Sequence, residues 1–330
     1  MGIFIVPTII STIAIFAVYL WGGPTAFVFT LILVVLEITL SFDNAIVNAK
    51  ILKEMSLVWQ KRFLTWGILL AVFFTRLVLP ILLVSIVASV SPLLVAKLAL
   101  YDPDTYSTML TNVDTTIKAF GGAFLMMVSL KYFFNVGKRV HWFSLIESRL
   151  AKWGRVESIE IAVALILLLT VSFLSHESTE TILVSGLIGV ILFTLTEGVA
   201  HGLDVEAKDI TRSGAILFAY LSLIDTAFSL DGVIAAFAIT NVIPVIFVGL
   251  GIGAYFVRTI TVYLVHKNVL SNLIYLEHGA HWAVFGLGLA MLLGLIIHIP
   301  QVVVAIIGVT FVLMAYISSK RNFLRVEVPE

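Results

Sequence analysis

The stretch that decides the fold reads Glu37-Ile-Thr-Leu-Ser41-Phe-Asp43-Asn44, and a second copy reads Asp225-Thr-Ala-Phe-Ser229-Leu-Asp231-Gly232. In both copies a carboxylate is followed four residues later by serine and six residues later by aspartate. Each copy lies near the middle of an apolar run long enough to cross a bilayer. One acidic side chain at that depth costs about 2.5–3.5 kcal/mol, so four cost about 10–14 kcal/mol together. The two copies therefore predict one cation site built from two halves of a membrane protein.

The composition is that of an integral membrane protein. Hydrophobic residues make up 60% of the chain and charged residues only 12%, about half the share in a soluble domain. The formal net charge is zero, so nothing favours a nucleic-acid partner. Cysteine is absent, which excludes disulfides, thiolate metal sites and cysteine nucleophiles. The expected partners are the lipid bilayer and a metal ion carried as substrate.

The apolar runs predict an all-α polytopic bundle with about ten transmembrane spans. Lysine and arginine are concentrated in the loops after spans 2 and 4 and in the C-terminal tail, so we expect these loops and both termini to be cytoplasmic. The predicted spans cover roughly residues 3–21, 24–48, 63–89, 117–135, 159–175, 182–201, 213–240, 242–266, 280–299 and 301–319.

This topology predicts two inverted repeats within one integral membrane domain. The acidic motifs fall on antiparallel spans, five spans apart, and each following span carries a glycine and an arginine nine residues later: Gly67 with Arg76, and Gly249 with Arg258. Residues 1–175 would form the first repeat, including an amphipathic cytoplasmic segment at 138–156, and residues 176–330 the second. Transporters built in this way bind substrate at the midplane, between the repeats.

Helix geometry limits which motif residues can share a site. Glu37, Ser41 and Asn44 lie on one face of a helix, whereas Asp43 lies about 120° away from Glu37. Asp231 has the same relation to Asp225. We therefore favour a break in each helix near the Ser-x-Asp sequence; the alternative is a continuous helix whose second aspartate bonds to neighbouring groups.

The donors are hard oxygen ligands of the kind that bind Mg²⁺, Ca²⁺ or Mn²⁺. Two arginines would balance part of the charge or act as a gate: four carboxylates and two guanidinium groups leave −2, which matches one divalent cation. The alternative for the arginines is snorkelling to the interface. Crowded buried carboxylates also take up protons, so metal and H⁺ would compete. The predicted ligands are Glu37, Ser41, Asp43, Asn44, Asp225, Ser229 and Asp231, with Arg76 and Arg258 as the balancing charges.

A second polar pair lies at the inner end of span 6. Glu197 and His201 are four residues apart and share one helix face. They could relay protons or form an entrance site for metal, and an interfacial pair is an equally good interpretation.

The two motifs resemble those of the TerC family, which belongs to the larger group of LysE-type exporters. The residues that carry the resemblance are Glu37-x-x-x-Ser41-x-Asp43-Asn44 and Asp225 with Ser229-x-Asp231; Gly121-Gly122 in a later span resembles a longer prokaryotic branch. The resemblance implies a metal exporter of the prokaryotic cytoplasmic membrane, with manganese as the leading substrate.

The sequence therefore predicts a transporter that exports a divalent cation, with Mn²⁺ favoured, and that holds no resident cofactor. One alternative is an antiporter of Ca²⁺ or another cation against H⁺. A different class of function is a membrane scaffold or insertion factor, in which the acidic groups only lock helices together. An enzyme is not expected, and an intramembrane metalloenzyme ranks lowest because no His-Glu-x-x-His site is present.

Overall fold

The computed structural model describes residues 2–204, 210–237 and 239–327, and within these ranges the protein is helical with no β-strand. A single 3₁₀ turn, Gly2–Phe4, precedes the first α-helix. The helices are α1 (Ile5–Leu40), α2 (Phe42–Glu54), α3 (Leu57–Leu69), a π-helical segment (Leu70–Val78), α4 (Leu79–Val87), α5 (Pro92–Tyr101), α6 (Pro103–Asn112), α7 (Asp114–Phe133), α8 (Ser144–Trp153), α9 (Ile159–Leu174), α10 (Thr179–Asp204), α11 (Ile210–Phe237), α12 (Ile243–His266), α13 (Val269–Asn272), α14 (Leu276–Leu293) and α15 (Gln301–Glu327).

Five helices in the described ranges are long and apolar enough to cross a membrane, or six if α6 and α7, which meet at 52°, form one bent span. Several such helices in one chain are typical of a multi-pass membrane protein. The apolar helices α5 and α9 and the stretch Phe73–Val87 are shorter. The five candidate spans are Ile5–Leu40, Thr179–Gly198, Gly214–Phe237, Ile243–His266 and Val302–Asn322.

Helix α1 contains the boundary that the sequence predicted between its first two spans. Gly23 has φ 70° and ψ −165°, and Pro24 follows it. That conformation is essentially restricted to glycine, and proline cannot donate a backbone hydrogen bond. The first predicted span and the larger part of the second therefore form one helical element with a break at Gly23, and the second span continues into α2.

The predicted break near Ser-x-Asp is present in the first motif and absent from the second. Helix α1 ends at Leu40, Ser41 has φ −107° and ψ 11°, and α2 begins at Phe42. By contrast, α11 runs unbroken through Asp225 and Asp231, so the prediction is wrong there. A continuous helix satisfies every backbone group internally, which is the favoured arrangement within a bilayer.

The third predicted span, at 63–89, corresponds to a helical stretch over 57–87. The middle of this stretch is a π-helix, which has a larger diameter than an α-helix. The wide part is the nine-residue π-helical segment, which carries Thr75 and Arg76. π-Helical turns are rare and occur mostly at functional sites. This segment contacts both α11 and α12, so its arginine enters the bundle interior.

Helix α12 lies at the centre of the bundle and is the most buried of the candidate spans. It packs against α1, α2 and the π-helical segment, while α11 packs against α2, α7 and the same segment. A second group of helices forms where α7 contacts α10 and α14, and α14 contacts α15. The first motif, on α1 and α2, therefore packs against α11, which carries the second motif, and against α12, which follows it.

The predicted amphipathic segment contains α8. Leu145, Ile146 and Trp153 are exposed, whereas Glu147 on the other side is fully buried. Glu147 Oε2 accepts a hydrogen bond from Lys138 Nζ at 2.9 Å. Further polar contacts join its carboxylate to α14: His278 Nδ1 lies 2.7 Å away and Trp282 Nε1 donates at 3.0 Å. The Glu147 carboxylate thus joins α8 to α14, and the apolar side chains of α8 stay exposed on the outside of the bundle.

Candidate functional site

A small cavity lies where the two acidic motifs meet, among α1, α2, the π-helical segment, α11 and α12. Its volume is about 10 Å³, about the space for one water-sized particle. The lining residues are Glu37, Ser41, Asn44, Asn48, Arg76, Asp225, Ala254, Val257, Arg258 and Thr261. The cavity therefore brings together four charged groups that lie far apart in the sequence.

The first charged pair joins Glu37 to the π-helical segment. Glu37 is 1% exposed, and its Oε1 accepts a hydrogen bond from Arg76 Nη2. Ser41 Oγ donates to the same oxygen at 2.9 Å, across the single-residue break between α1 and α2. The sequence predicted that Glu37 and Ser41 share a face, and they do.

The second charged pair joins α11 to α12. Arg258 is 4% exposed, and its Nη2 donates to Asp225 Oδ2 at 2.7 Å. The guanidinium carbon also lies 3.8 Å from the centre of the Phe63 ring, and Nη1 lies 3.5 Å from the Phe63 carbonyl oxygen. Arg258 is therefore buried and does not snorkel to the interface, and the same holds for Arg76, which is 8% exposed.

Two further contacts connect the motif copies to each other. Asn44 Nδ2 donates to Asp225 Oδ1 at 2.8 Å. Asn44 and Gly232 hold the same position in their motifs, and Gly232 lies against the other carboxylate: a Cβ on Gly232 would be 3.1 Å from Glu37 Oε2. In each motif, the eighth residue thus contacts the first residue of the other motif.

The charges that line the cavity sum to zero, because two carboxylates face two guanidinium groups. The sequence predicted a net charge of −2 for the site, because that sum included Asp43 and Asp231. Asp43 and Ser229 are both buried, but neither is among the residues that line the cavity. The side chain of Asp231 lies outside the described part of the structure. The metal-ligand role of these three residues stays a prediction.

Two neutral oxygens contribute to the cavity. Asn44 and Asn48 are each 2% exposed, and the Oδ1 atom of each accepts no hydrogen bond from the described residues. The sequence analysis did not single out Asn48. The sequence feature that indicates Asn48 is its four-residue spacing from Asn44, because this spacing places both side chains on one face of α2. Thr261, also missed, bonds to the Val257 carbonyl of its own helix at 3.0 Å.

Glycines allow α12 to approach α1 closely at this depth. A Cβ on Gly253 would lie 2.5 Å from both Cβ and Cγ of Glu37, and one on Gly249 would lie 2.6 Å from the Leu33 Cβ. No real side chain tolerates such contacts, so both positions require glycine at the present helix separation. Gly253 therefore packs directly against the side chain of Glu37, whose carboxylate lines the cavity.

The described side chains contain no group of three or more histidine and acidic residues that could hold a metal ion. A cation in the cavity would therefore be bound by a mixed set of oxygens. The carboxylates of Glu37 and Asp225 would supply the charge, and hydroxyl and amide oxygens would supply the remaining ligands. Such oxygens are the ligands that hard divalent cations accept.

Glu197 lies in a larger polar cavity of about 600 Å³ near the basic ends of α2 and α7. Its carboxylate is 3.1 Å from Lys131 Nζ, which also lies 3.3 Å from Glu160. The side chain of His201 lies outside the described part of the structure, so the predicted Glu197–His201 pair stays a prediction. We call this cavity the vestibule; its polar lining also includes Lys50 and Glu54 from α2.

The comparisons with known proteins place the chain in a family. No curated protein and no solved structure matches it. A family model described as "Protein of unknown function (DUF475)" matches residues 42–325, which is most of the chain and includes α2, the π-helical segment, α11 and α12. The chain therefore belongs to the DUF475 family.

Proposed function

We propose that this protein is a membrane transporter that exports a divalent cation, with Mn²⁺ favoured. The cargo would bind in the cavity between the two acidic motifs, with Glu37 and Asp225 as its charged ligands. The resemblance to the TerC family points to the same cargo. In this proposal the protein lies in a prokaryotic cytoplasmic membrane with both termini in the cytoplasm.

The observation that carries the proposal is the meeting of the two motif carboxylates, each buried, at one cavity. A membrane-buried ionisable residue is expensive and is commonly part of an ion pathway. Here two such residues converge, together with amide and hydroxyl oxygens that bind hard cations. An isolated structural ion pair requires no such additional oxygens.

The reciprocal contacts of the motifs support two inverted repeats. Asn44 contacts Asp225, Gly232 contacts Glu37, and each carboxylate pairs with the arginine of the next helical stretch. Ten spans follow if α1 counts as two, broken at Gly23, and the helical stretch 57–87 counts as one. The others are α7, α9, α10, α11, α12, α14 and α15, so that 1–175 and 176–330 each contribute five.

The arginines explain how such a site can exchange its cargo. A divalent cation competes with the guanidinium groups of Arg76 and Arg258 for the same two carboxylates. Binding then breaks ion pairs that re-form on release, so the carboxylates are never left as unpaired charges in the bilayer, an expensive state. In repeat-built transporters, one half rocks against the other around a fixed midplane site. In this proposal the two motifs belong to opposite halves, 1–175 and 176–330.

Mn²⁺ flux into liposomes, measured with the purified protein, tests the proposal. We expect Glu37→Gln and Asp225→Asn to lower flux by roughly a hundredfold, because each loses a charged ligand. Glu177→Gln, at an exposed position, is the control and should transport normally. Wild-type flux in both site variants would contradict the proposal. Parallel assays with Ca²⁺ and with an imposed pH gradient distinguish manganese export from Ca²⁺ or H⁺-coupled antiport.

The balanced charge of the cavity favours a second candidate, a non-transporting scaffold held together by ion pairs. In that case Mn²⁺, Ca²⁺ and Mg²⁺ would leave the Tm of the purified protein unchanged. A transporter is instead stabilised by its cargo, because the folded state binds it and the unfolded state does not. A Tm that rises with Mn²⁺ in the wild type but not in Glu37→Gln supports transport; no rise in either supports the scaffold.

A further inference from the structure

Asn48 has a buried amide oxygen that the ion pairs of the site do not explain. Its side chain lines the central cavity, it is 2% exposed, and its Oδ1 accepts no hydrogen bond from the described residues. A buried acceptor without a partner is costly, because it has lost its hydrogen bonds to water and gained none in return. Such a cost at a cavity wall indicates that the oxygen has a partner from outside the protein.

Asn44 shows the same feature one helical turn away. Its Nδ2 donates to Asp225 Oδ1, and this bond fixes the orientation of the amide, so the carbonyl oxygen cannot exchange places with the nitrogen. The Asn44 Oδ1 is also without a hydrogen-bond donor among the described residues. Two unbonded acceptor oxygens, on residues one helical turn apart that line one cavity of about 10 Å³, match an electropositive particle the size of a water molecule.

We propose that Asn48 is a cargo-binding residue, whose amide oxygen serves with that of Asn44 as a neutral ligand for a hard divalent cation. The inference rests on the proposed function and adds a ligand beyond the two acidic motifs. Amide oxygens are ordinary ligands of Ca²⁺-like and Mg²⁺-like ions. Because they are neutral, they leave the charge of the site to Glu37 and Asp225.

Asn48 lies on the side of the central cavity that is nearer to the vestibule. It lies on α2 about 6 Å beyond Asn44, at a rise of 1.5 Å per residue, towards the basic end of the helix. Ile51, which continues the same helix face, lines the vestibule together with Glu54. Of the two asparagines of α2 that line the central cavity, Asn48 is therefore the one nearer to the vestibule end of the helix.

Asn48→Leu is the main test, because leucine has a similar size and has no polar atom. The probe is MnCl₂, with the dissociation constant from calorimetry on the detergent-purified full chain and the flux from liposomes. We expect Mn²⁺ affinity to fall roughly tenfold or more, as when a metal site loses a supporting group. Without metal the Tm should not fall, because the substitution removes an unbonded buried acceptor.

Two other variants make the result specific. Thr30→Val is the matched control: Thr30 is fully buried on α1, bonds only to the Ala26 carbonyl of its own helix, and does not line the cavity. It should bind Mn²⁺ as the wild type does. Asn48→Asp keeps an oxygen ligand and adds a proton-binding group, so it should retain binding, with an affinity that falls at low pH.

The outcomes separate this inference from the proposed function. If Asn48→Leu binds Mn²⁺ like the wild type while Glu37→Gln does not, Asn48 is no ligand and the transporter proposal stands. If Asn48→Leu lowers the Tm equally with and without Mn²⁺, the oxygen holds a structural water and the inference is wrong. If the wild type itself binds no divalent cation, both proposals fail.

Discussion

Asn44 and Asp225, which belong to two different copies of one sequence motif, are joined by a hydrogen bond of 2.8 Å from Nδ2 to Oδ1. Both residues are buried, and each belongs to a different half of the chain. The bond fixes the distance between the two motifs. It also orients the free Asn44 oxygen at the wall of the cavity.

Neutralising one member of the Asp225–Arg258 pair should destabilise the fold more than neutralising both. Asp225→Asn or Arg258→Gln leaves an unpaired buried charge, which costs about 3–5 kcal/mol, whereas the double variant leaves none. The difference between the double variant and the sum of the single variants gives the coupling energy. Chemical unfolding in detergent, followed by circular dichroism, measures all three.

The matched control for that cycle is the pair Asp114 and Lys118, which is four residues apart on α7 and partly solvent-exposed. Neutralising either residue should change stability by no more than about 0.5 kcal/mol. If the single variants at Asp225 and Arg258 behave like this control, the charges are solvated in the folded protein and the buried site described above is incorrect.

Gly253→Ala should separate α1 from α12 and weaken the site. The new methyl group would lie 2.5 Å from Cβ and Cγ of Glu37. Overpacking of this kind costs about 1–3 kcal/mol. Gly198→Ala on α10 is the control, because nothing lies within 4 Å of its Cβ position, and it should be neutral or stabilising by up to about 1 kcal/mol. A Tm for Gly253→Ala equal to that of Gly198→Ala would show that the helices are not in close contact at Glu37.

Gly23→Ala tests backbone conformation without any steric clash from neighbours. Nothing lies within 4 Å of the Cβ position, as at Gly198, but Gly23 has a φ of 70°. Alanine in that conformation costs about 1–3 kcal/mol. We expect a lower Tm than for Gly198→Ala. A stabilised Gly23→Ala would mean that α1 is a single straight helix in the folded protein.

Glu147→Gln should release α8 from the bundle and remove a pH dependence. Burial raises the pKa of Glu147, but hydrogen bonds from His278, Lys138 and Trp282 outweigh it and hold the pKa below its ordinary value of 4.5. A lowered folded-state pKa stabilises the protein fully above about pH 4.5, and this contribution is lost as the pH falls further. The variant should lose about 3–5 kcal/mol near neutral pH, since Lys138 is left unpaired.

The measurement for Glu147 is the Tm of the wild type and of Glu147→Gln between about pH 3.5 and about pH 7. The gap between the two curves should narrow as the pH falls. Glu157→Gln, exposed beyond the end of α8, should follow the wild-type curve. A gap that is independent of pH would show that Glu147 stabilises the protein through packing alone.

Much of the architecture was predictable from the sequence, because in a bilayer composition and length restrict the chain to helices. The apolar runs indicated the helical membrane fold. The 3.6-residue period indicated that Glu37, Ser41 and Asn44 share a face. The sequence predicted a break in both copies, because both have the same Ser-x-Asp pattern. It did not reveal that only the first copy is broken, at Ser41, while α11 continues. The break is confined to the backbone angles of one residue, because the Ser41 N–H still bonds to the Glu37 carbonyl and the Ala45 N–H to the Ser41 carbonyl, so side-chain periodicity carries no signal for it.

The sequence by itself determined that carboxylates from two related motifs are buried in a membrane protein of helices, because apolar runs around repeated acidic residues allow no other placement. Only the tertiary structure decided their partners. The pairing of Glu37 with Arg76 and of Asp225 with Arg258, the contact of Asn44 with Asp225, and the unbonded oxygen of Asn48 all depend on distances between helices. Hydrogen bonds and ion pairs act over about 3 Å, whereas sequence periodicity specifies only the face on which a side chain lies.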